Sequence, residues 1–368
     1  MRPLLTFMLC LTLMPHAHAQ SVDDDPNEAP PVRVGVVGLV HTHVHWILGR
    51  EPRGDVEIVG IVEPNRDLAE RYAEQHGYSM DLVYDSVEVM LDEVQPEAIT
   101  VFTTIRDHKR VVEVAAARGI HVMVEKPLAV SLAHAVAMED TARAAGIHLL
   151  TNYETTWYPS VHETYARVRA GEVGPLRKIV VHDGHPGPME IGVNEEFLEW
   201  LIDPVENGAG ALTDFGCYGA GLVAWLMDGR RPETVTAITQ QIKPEIYPDV
   251  DDEATIILTY PEAQGIIQAS WNWPFNRKDM EVYGRTGYLH ADDATTLRVR
   301  LAEEDAESRL TVDAMPAPLD DPFAYLAGVV RGEIDPAGSL SSLELNLIVM
   351  EILDAAMRSA ESGETVRL

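Results

Sequence analysis

The sequence predicts an α/β chain in two parts, a doubly wound parallel sheet followed by an open, mainly antiparallel sheet. Three observations carry this. Up to residue 150, short β-branched runs alternate with amphipathic stretches of helical period, the pattern of a parallel sheet with helices on both faces. After Asn152, strand-like runs follow one another across turns, which suits antiparallel pairing. The chain has 368 residues, 46% of them hydrophobic, enough for two domains around packed cores.

The first residues, MRPLLTFMLCLTLMPHAHAQ, stand apart from that fold. Arg2, an apolar run from Leu4 to Met14 and Ala17-His18-Ala19 form the pattern of a secretory signal. The run is too short to span a bilayer. There is no twin arginine, and Cys10 lacks the small residues that precede a lipidated cysteine. Residues 1–19 are therefore expected to be removed on general secretion, giving a soluble secreted or periplasmic product. Residues 20–31, QSVDDDPNEAPP, read as a disordered lead-in. Cys217 is then the sole cysteine, so no internal disulfide is expected and the fold must rest on its core. A formal charge of −31 argues against nucleic acid and anionic membrane as partners. Only five lysines stand against 23 arginines. A salty or warm habitat and a GC-rich genome explain that bias equally well.

Within the first part, Val32–Gly38 is a buried-strand run ending in glycine. Val56–Val62 closes with Glu63, and Ala98–Phe102 and His121–Val124 follow. Helical patterns cover Arg66–His76, Arg106–Arg118 and Leu132–Ala145, and a last strand, Ile147–Leu150, closes a domain over 32–150. Gly38 stands where the chain must turn sharply into a helix, and Glu63 follows 25 positions later. That is where a carboxylate grips the ribose 2′-hydroxyl of NAD and repels the extra phosphate of NADP. Arg66 complicates the choice, but NAD is expected. Val40 and His43 occupy the second and third glycine positions of the usual fingerprint.

The alternating His41, His43 and His45 also invite a zinc reading. A catalytic zinc takes three protein ligands from separated positions. Neither His108, His148, His182 nor His185 falls in a second ligand motif, so no metal is expected. A simpler account has Thr42 capping the first helix. His43 then lies in its first turn, with its N–H toward a pyrophosphate. His45, a turn beyond His41, reads as packing.

Three further stretches narrow the reading: Thr103-Thr104-Ile105-Arg106-Asp107-His108, Glu125-Lys126-Pro127, and Gly208 to Tyr218 (GAGALTDFGCY). In this order they resemble the glucose–fructose oxidoreductase / inositol dehydrogenase (Gfo/Idh/MocA) family, over nearly the whole mature chain. Thr104 stands where the family usually has proline. Tyr218 stands where most members have histidine, as in the glucose–fructose oxidoreductase and dihydrodiol dehydrogenase branches.

The resemblance implies a Rossmann domain, then a sheet domain over 151–368 whose C-terminal helix packs back. It further implies a homodimer or homotetramer formed through the open sheet. It makes Lys126, Tyr218 and Asp214 the catalytic residues. Lys126 orients the substrate hydroxyl and lowers the pKa of Tyr218, and Asp214, on the same helical face, binds a hydroxyl or orients Tyr218. In the family the peptide before the proline matching Pro127 can be cis, which places the lysine toward the nicotinamide. Gly38, Val40, His41, Thr42, His43, Glu63, Thr103, Thr104, His108, Glu125 and Lys126 are expected around the cofactor. Asn152, Glu154, Trp157, His182, His185, Asp214, Trp273 and Arg277 are expected to face a sugar, whose C–H faces suit aromatic rings and whose rims suit amides and guanidinium.

The activity expected is exported, NAD-linked hydride transfer to or from a carbohydrate or polyol hydroxyl. An NAD-assisted glycoside hydrolase or lyase without net redox change is the alternative. A non-catalytic carbohydrate-binding protein is the third, and retained Lys126 and Tyr218 speak against it.

Overall fold

The structure is a computed structural model and describes residues 29–368. The expected signal segment and most of the lead-in lie outside the described residues. The first sheet has six parallel strands: β1 (Val32–Val37), β2 (Val56–Val62), β3 (Val83–Tyr84), β4 (Ala98–Val101), β5 (His121–Glu125) and β6 (Leu149–Asn152). Their order is β3-β2-β1-β4-β5-β6, so the winding reverses between β1 and β4. A ligand crevice opens at the carboxyl ends of the strands at such a switch point.

Five helices connect these strands: α1 (Val44–Leu48), α2 (Arg66–His76), α3 (Val87–Val94), α4 (His108–Ala116) and α5 (Leu132–Ala145). α2 and α5 match the ranges read from sequence because both ends of each are marked. The Asn65 side chain accepts from Leu68 N and Gly77 ends α2 at φ 78°, while Ser131 and Gly146, at φ 67°, do the same for α5. β3 and α3 were not anticipated; they have two and eight residues, too few for a period to register. Thr42 does not cap α1. The cap position is His43, in helical conformation, and no side chain bonds the end.

The chain then continues through α6 (Pro159–Arg169), β7 (Leu176–Gly184), four short helices α7 (Pro188–Ile191), α8 (Glu195–Leu201), α9 (Pro204–Asn207) and α10 (Ala211–Asp214), and the longer α11 (Gly216–Leu226). The remaining strands are β8 (Thr234–Gln240), β9 (Glu253–Thr259), β10 (Gln264–Ser270), β11 (Arg277–Gly284), β12 (Tyr288–Ala291), β13 (Thr296–Arg300), β14 (Ser308–Thr311) and β15 (Val366–Arg367), with α12 (Pro322–Val330) and α13 (Leu343–Ser362) before the last. This second sheet runs β14-β13-β12-β11-β7-β10-β9-β8-β15 and is antiparallel except between β7 and β10.

Strand period two sorts its residues. On β7, Ile179, Val181 and Asp183 face one way and Val180 and His182 the other. The first face is covered by α11 and α13. α13 also reaches α5 and β6 of the first sheet, as the C-terminal helix was expected to do. α12 adds a second tie. Phe323 and Ala327 join the β1 core, and Arg50 bonds both Asp55 and Asp321.

Every residue of α11 is buried, and its glycines set how closely it approaches β10. A Cβ on Gly219 would lie 2.4 Å from Ile267 Cγ2, whereas one on Gly221 would meet only Val349, at 3.8 Å. Gly219→Ala gains up to about 1 kcal/mol of helix propensity and costs about 1–3 kcal/mol in overpacking. We expect a net loss of up to about 2 kcal/mol in urea denaturation, and no loss for Gly221→Ala.

Candidate active site

The crevice floor begins at Gly38, whose φ of +82° and close approach require glycine: a Cβ would lie 2.7 Å from Thr103 Cγ2. Glu63 is 4% exposed. Its two oxygens accept the N–H groups of Leu39 (3.0 Å) and Asn65 (2.8 Å), tying the β1 turn to the end of β2. Burial raises its pKa against those two bonds.

The His43 N–H, expected to face a pyrophosphate, instead donates to His41 Nδ1 at 3.1 Å. Other groups of the turn remain open. Thr42 Oγ1 and His41 Nε2 are buried without a partner, and the N–H groups of Val40 and Thr42 make no hydrogen bond among the described residues. Unpaired buried polar groups are costly. Such a set at a strand–turn–helix junction fits the diphosphate of a dinucleotide.

At the end of β5 the Lys126–Pro127 peptide is cis. Glu125 is held from two sides: Asn152 Nδ2 donates to it at 2.7 Å, and His43 Nδ1 lies 2.9 Å away. Asn152 is itself fixed by Trp157 Nε1 at 2.9 Å. His41, His43 and Glu125 bring possible ligand atoms within 4.8 Å of one another, a juxtaposition not foreseen because the carboxylate comes from the Glu-Lys-Pro turn and not from a histidine motif. Hydrogen bonding already assigns their protons. His41 Nδ1 accepts, which leaves its proton on Nε2, and His43 Nδ1 shares a proton with Glu125. Burial pushes both imidazoles well down and the carboxyl up. Behind this turn His108, fully buried, donates Nδ1–H to Leu128 O at 3.1 Å, and its Nε2 has no partner.

Lys126, 5% exposed, forms an ion pair with the Asp214 carboxylate and donates to the Asp214 carbonyl at 3.2 Å. Trp271 Nε1 donates to the other carboxylate oxygen at 3.0 Å. Burial, the largest single effect, opposes both charges, but the neighbouring charges and hydrogen bonds together outweigh it, so the lysine pKa rises and the aspartate pKa falls. Both are ionised.

Two expectations about Tyr218 are corrected. Asp214 ends α10 and the chain breaks at Phe215 before α11, so the two residues do not share one continuous helix, and Asp214 bonds the lysine and not the tyrosine. The phenol's pKa is not lowered. Burial, with Glu154 and other acidic groups nearby, pushes it well above its ordinary value, and Asp214 already neutralises the lysine. Lys126 Nζ lies 5.3 Å from the Tyr218 ring centroid, and Lys278 Nζ 4.8 Å.

These groups open onto a cavity of about 470 Å³ between the two sheets. Of the expected substrate residues, Glu154, His185, Asp214 and Arg277 line it. The others do not. His182 sits on the opposite face of β7 and pairs with Asp279 at 2.8 Å, the consequence of strand alternation. Asn152 and Trp157 stand behind Glu125. Trp273 lies under the Arg277 guanidinium at 4.5 Å.

The segment from α8 to α9, unmarked by any motif, roofs the turn. Phe197 and Trp200 pack on His41, Trp200 Nε1 donates to Val40 O at 3.3 Å, and Thr104 Oγ1 donates to Glu206 at 2.9 Å. Sequence reasoning missed Phe197, Trp200, Tyr158 and Lys278. Only the last carried a signal, as one of five lysines in the chain.

A doubly wound domain presenting a buried lysine beside a tyrosine, at a cavity walled by an open second sheet, defines the class as a two-domain protein built on a dinucleotide-binding fold. The chain belongs to the Gfo/Idh/MocA oxidoreductase family: residues 32–153 match its NAD-binding Rossmann fold and residues 161–290 its C-terminal domain. Among curated relatives, the trans-1,2-dihydrobenzene-1,2-diol dehydrogenase of Macaca fascicularis is 26% identical over 61% of this chain, which spans 63% of that protein. The 1,5-anhydro-D-fructose reductase of Ensifer adhaerens is 24% identical over 83% of this chain and 90% of its own. The fold is shared with an aldose-aldose oxidoreductase from Caulobacter crescentus (TM-score 0.77, 22% identity, 92% of this chain and 100% of that one). It is shared also with an inositol dehydrogenase homolog from Azotobacter vinelandii (TM-score 0.79, 18% identity, 92% and 98%).

Burial holds His108 and His185 neutral, each pushed down to about 4. In the unfolded chain both titrate near about 6.5. Their contribution to stability is complete above about 6.5 and is lost as the pH falls toward about 4, because the unfolded chain takes up protons that the folded one refuses. His108→Gln should flatten the rise of stability across this window by up to about 1.4 kcal/mol per pH unit. Denaturation at fixed pH measures it, and equal slopes would mean that His108 is protonated in the fold.

Proposed function

We propose that this protein is an exported NAD-dependent oxidoreductase that transfers hydride to or from a hydroxyl of a carbohydrate or polyol. The observation that carries the reading is the buried Lys126–Asp214 ion pair beside Tyr218 on the cavity wall. The dinucleotide, when bound, supplies the hydride acceptor or donor. Lys126 donates a hydrogen bond to the reacting oxygen and stabilises the alkoxide. Asp214, ionised, receives the hydroxyl proton through Lys126. Tyr218 keeps its proton and donates a hydrogen bond to the same oxygen, and in the reductive direction the proton returns to that oxygen from Asp214 through Lys126.

The open face of the second sheet is the expected surface for a homodimer or homotetramer. Release of residues 1–19 on export is testable by N-terminal sequencing of the secreted product. A second reading, NAD-assisted elimination, draws on His185. This neutral imidazole lines the cavity, its Nδ1 accepting from Gly187 N, and is a further group for proton transfer at a neighbouring C–H. Following NADH absorbance and product mass together separates the two readings.

Lys126→Met and Tyr218→Phe should each lower single-turnover rates by about 10²-fold or more. The double variant should lose little beyond the worse single one. A Tyr218→Phe enzyme of near-native rate would reduce the tyrosine to packing.

Calorimetry should find NAD bound more tightly than NADP, since a phosphate near Glu63 meets a like charge. Glu63→Ala should narrow that gap and also weaken NAD, because the Leu39 N–H loses its partner. NADP bound as tightly as NAD by the native protein would refute the preference.

A further inference from the structure

Lys278 enters the cavity from β11, and its ammonium pairs with the Glu154 carboxylate. The Tyr158 hydroxyl donates to the other oxygen of Glu154. Across the strand pair, Lys278 is the register partner of Asp183 on β7. Asp183 is fully buried and neither of its oxygens has a partner. Burial pushes its pKa well up, and the ion-pair partner of Lys278 is Glu154.

The cavity therefore presents two lysine–carboxylate pairs at one tyrosine ring, Lys126 with Asp214 and Lys278 with Glu154. A hydroxyl both donates and accepts hydrogen bonds. A lysine–carboxylate pair offers one donor and one acceptor to match it. The remaining cation on the wall, Arg277, is committed to Asp279 at 2.5 Å. Three cations line the cavity against five carboxylates: Glu154, Asp214, Asp279, Asp292 and Asp293. A phosphorylated or carboxylated substrate would meet no unpaired cation.

We propose that Lys278 and Glu154 form a second hydroxyl subsite, so that the substrate is an uncharged sugar or polyol with two neighbouring hydroxyls. One hydroxyl sits at Lys126–Asp214, where it reacts, and its neighbour at Lys278–Glu154. This rests on the reading of Lys126–Asp214 as the reacting end.

The test uses the NAD-loaded mature protein and calorimetric titration with D-glucose, D-galactose, D-mannose, D-xylose and myo-inositol. The tightest binder is then compared with each of its monodeoxy derivatives and with D-glucuronate and D-glucose 6-phosphate. Loss of one hydroxyl next to the reacting carbon should weaken binding about 10–100-fold, the scale of a hydrogen bond to a charged group. Lys278→Met should weaken the parent compound to the same degree and leave it no better than that deoxy derivative. Glu154→Gln should do likewise, and serves alone if Lys278→Met no longer binds NAD and is thus misfolded.

The proposal is overturned if no sugar binds, if no deoxy position matters, if the variants keep the discrimination, or if the anionic sugars bind more tightly than the neutral one. NADH formation is read in parallel. Discrimination without NADH would leave the subsite standing and refute the redox reading alone.

Discussion

The Lys126–Asp214 ion pair joins the two halves of this molecule. Its lysine sits at the end of the first sheet's fifth strand and its aspartate on a single helical turn of the second half. Both are nearly inaccessible, and charges so placed are tolerated only when paired and hydrogen-bonded. Trp271 and the Asp214 carbonyl complete the bonding. The pair thus fixes how the second sheet closes over the crevice, and with it the distances from Lys126 and Lys278 to Tyr218. An uncompensated charge would remain if either partner moved away, so the arrangement is set before any ligand arrives.

The β1 turn shows what replaces a glycine fingerprint. Where the usual motif keeps its backbone bare, this chain spends several N–H groups internally, on Glu63, Phe102 O and His41 Nδ1. Thr42 and Val40 are left to face an anion. The same histidines carry Glu125, through His43, into contact with the turn. The alternation of His41, His43 and His45 distributes three tasks: one ring fixes the turn, one holds the Glu-Lys-Pro carboxylate, and one pairs with His76 at 2.8 Å beneath α2.

Much of this was legible in the residues, and what was not has physical reasons. Buried parallel strands and well-capped helices announce themselves, which is why β2, α2 and α5 fall where the sequence places them. Short elements such as β3 and α3 have no period to read. Lys126, Asp214 and Tyr218 were found through linear motifs. Lys278, Phe197 and Trp200 were not, because they reach the site only through the register of β11 against β7 or on a short helix that no motif marks. His182 failed for the converse reason: it is one residue from the correct strand face. The tyrosine's acidity was misjudged because sequence names a neighbouring cation without showing how deeply the phenol is buried.

Phe197 belongs at once to the roof over the turn and to the wall of the cavity, edge-on to His41 and exposed to whatever occupies the space beside Lys126. A single ring is thereby shared by the turn and the cavity, so a change in its size is felt on both sides at once.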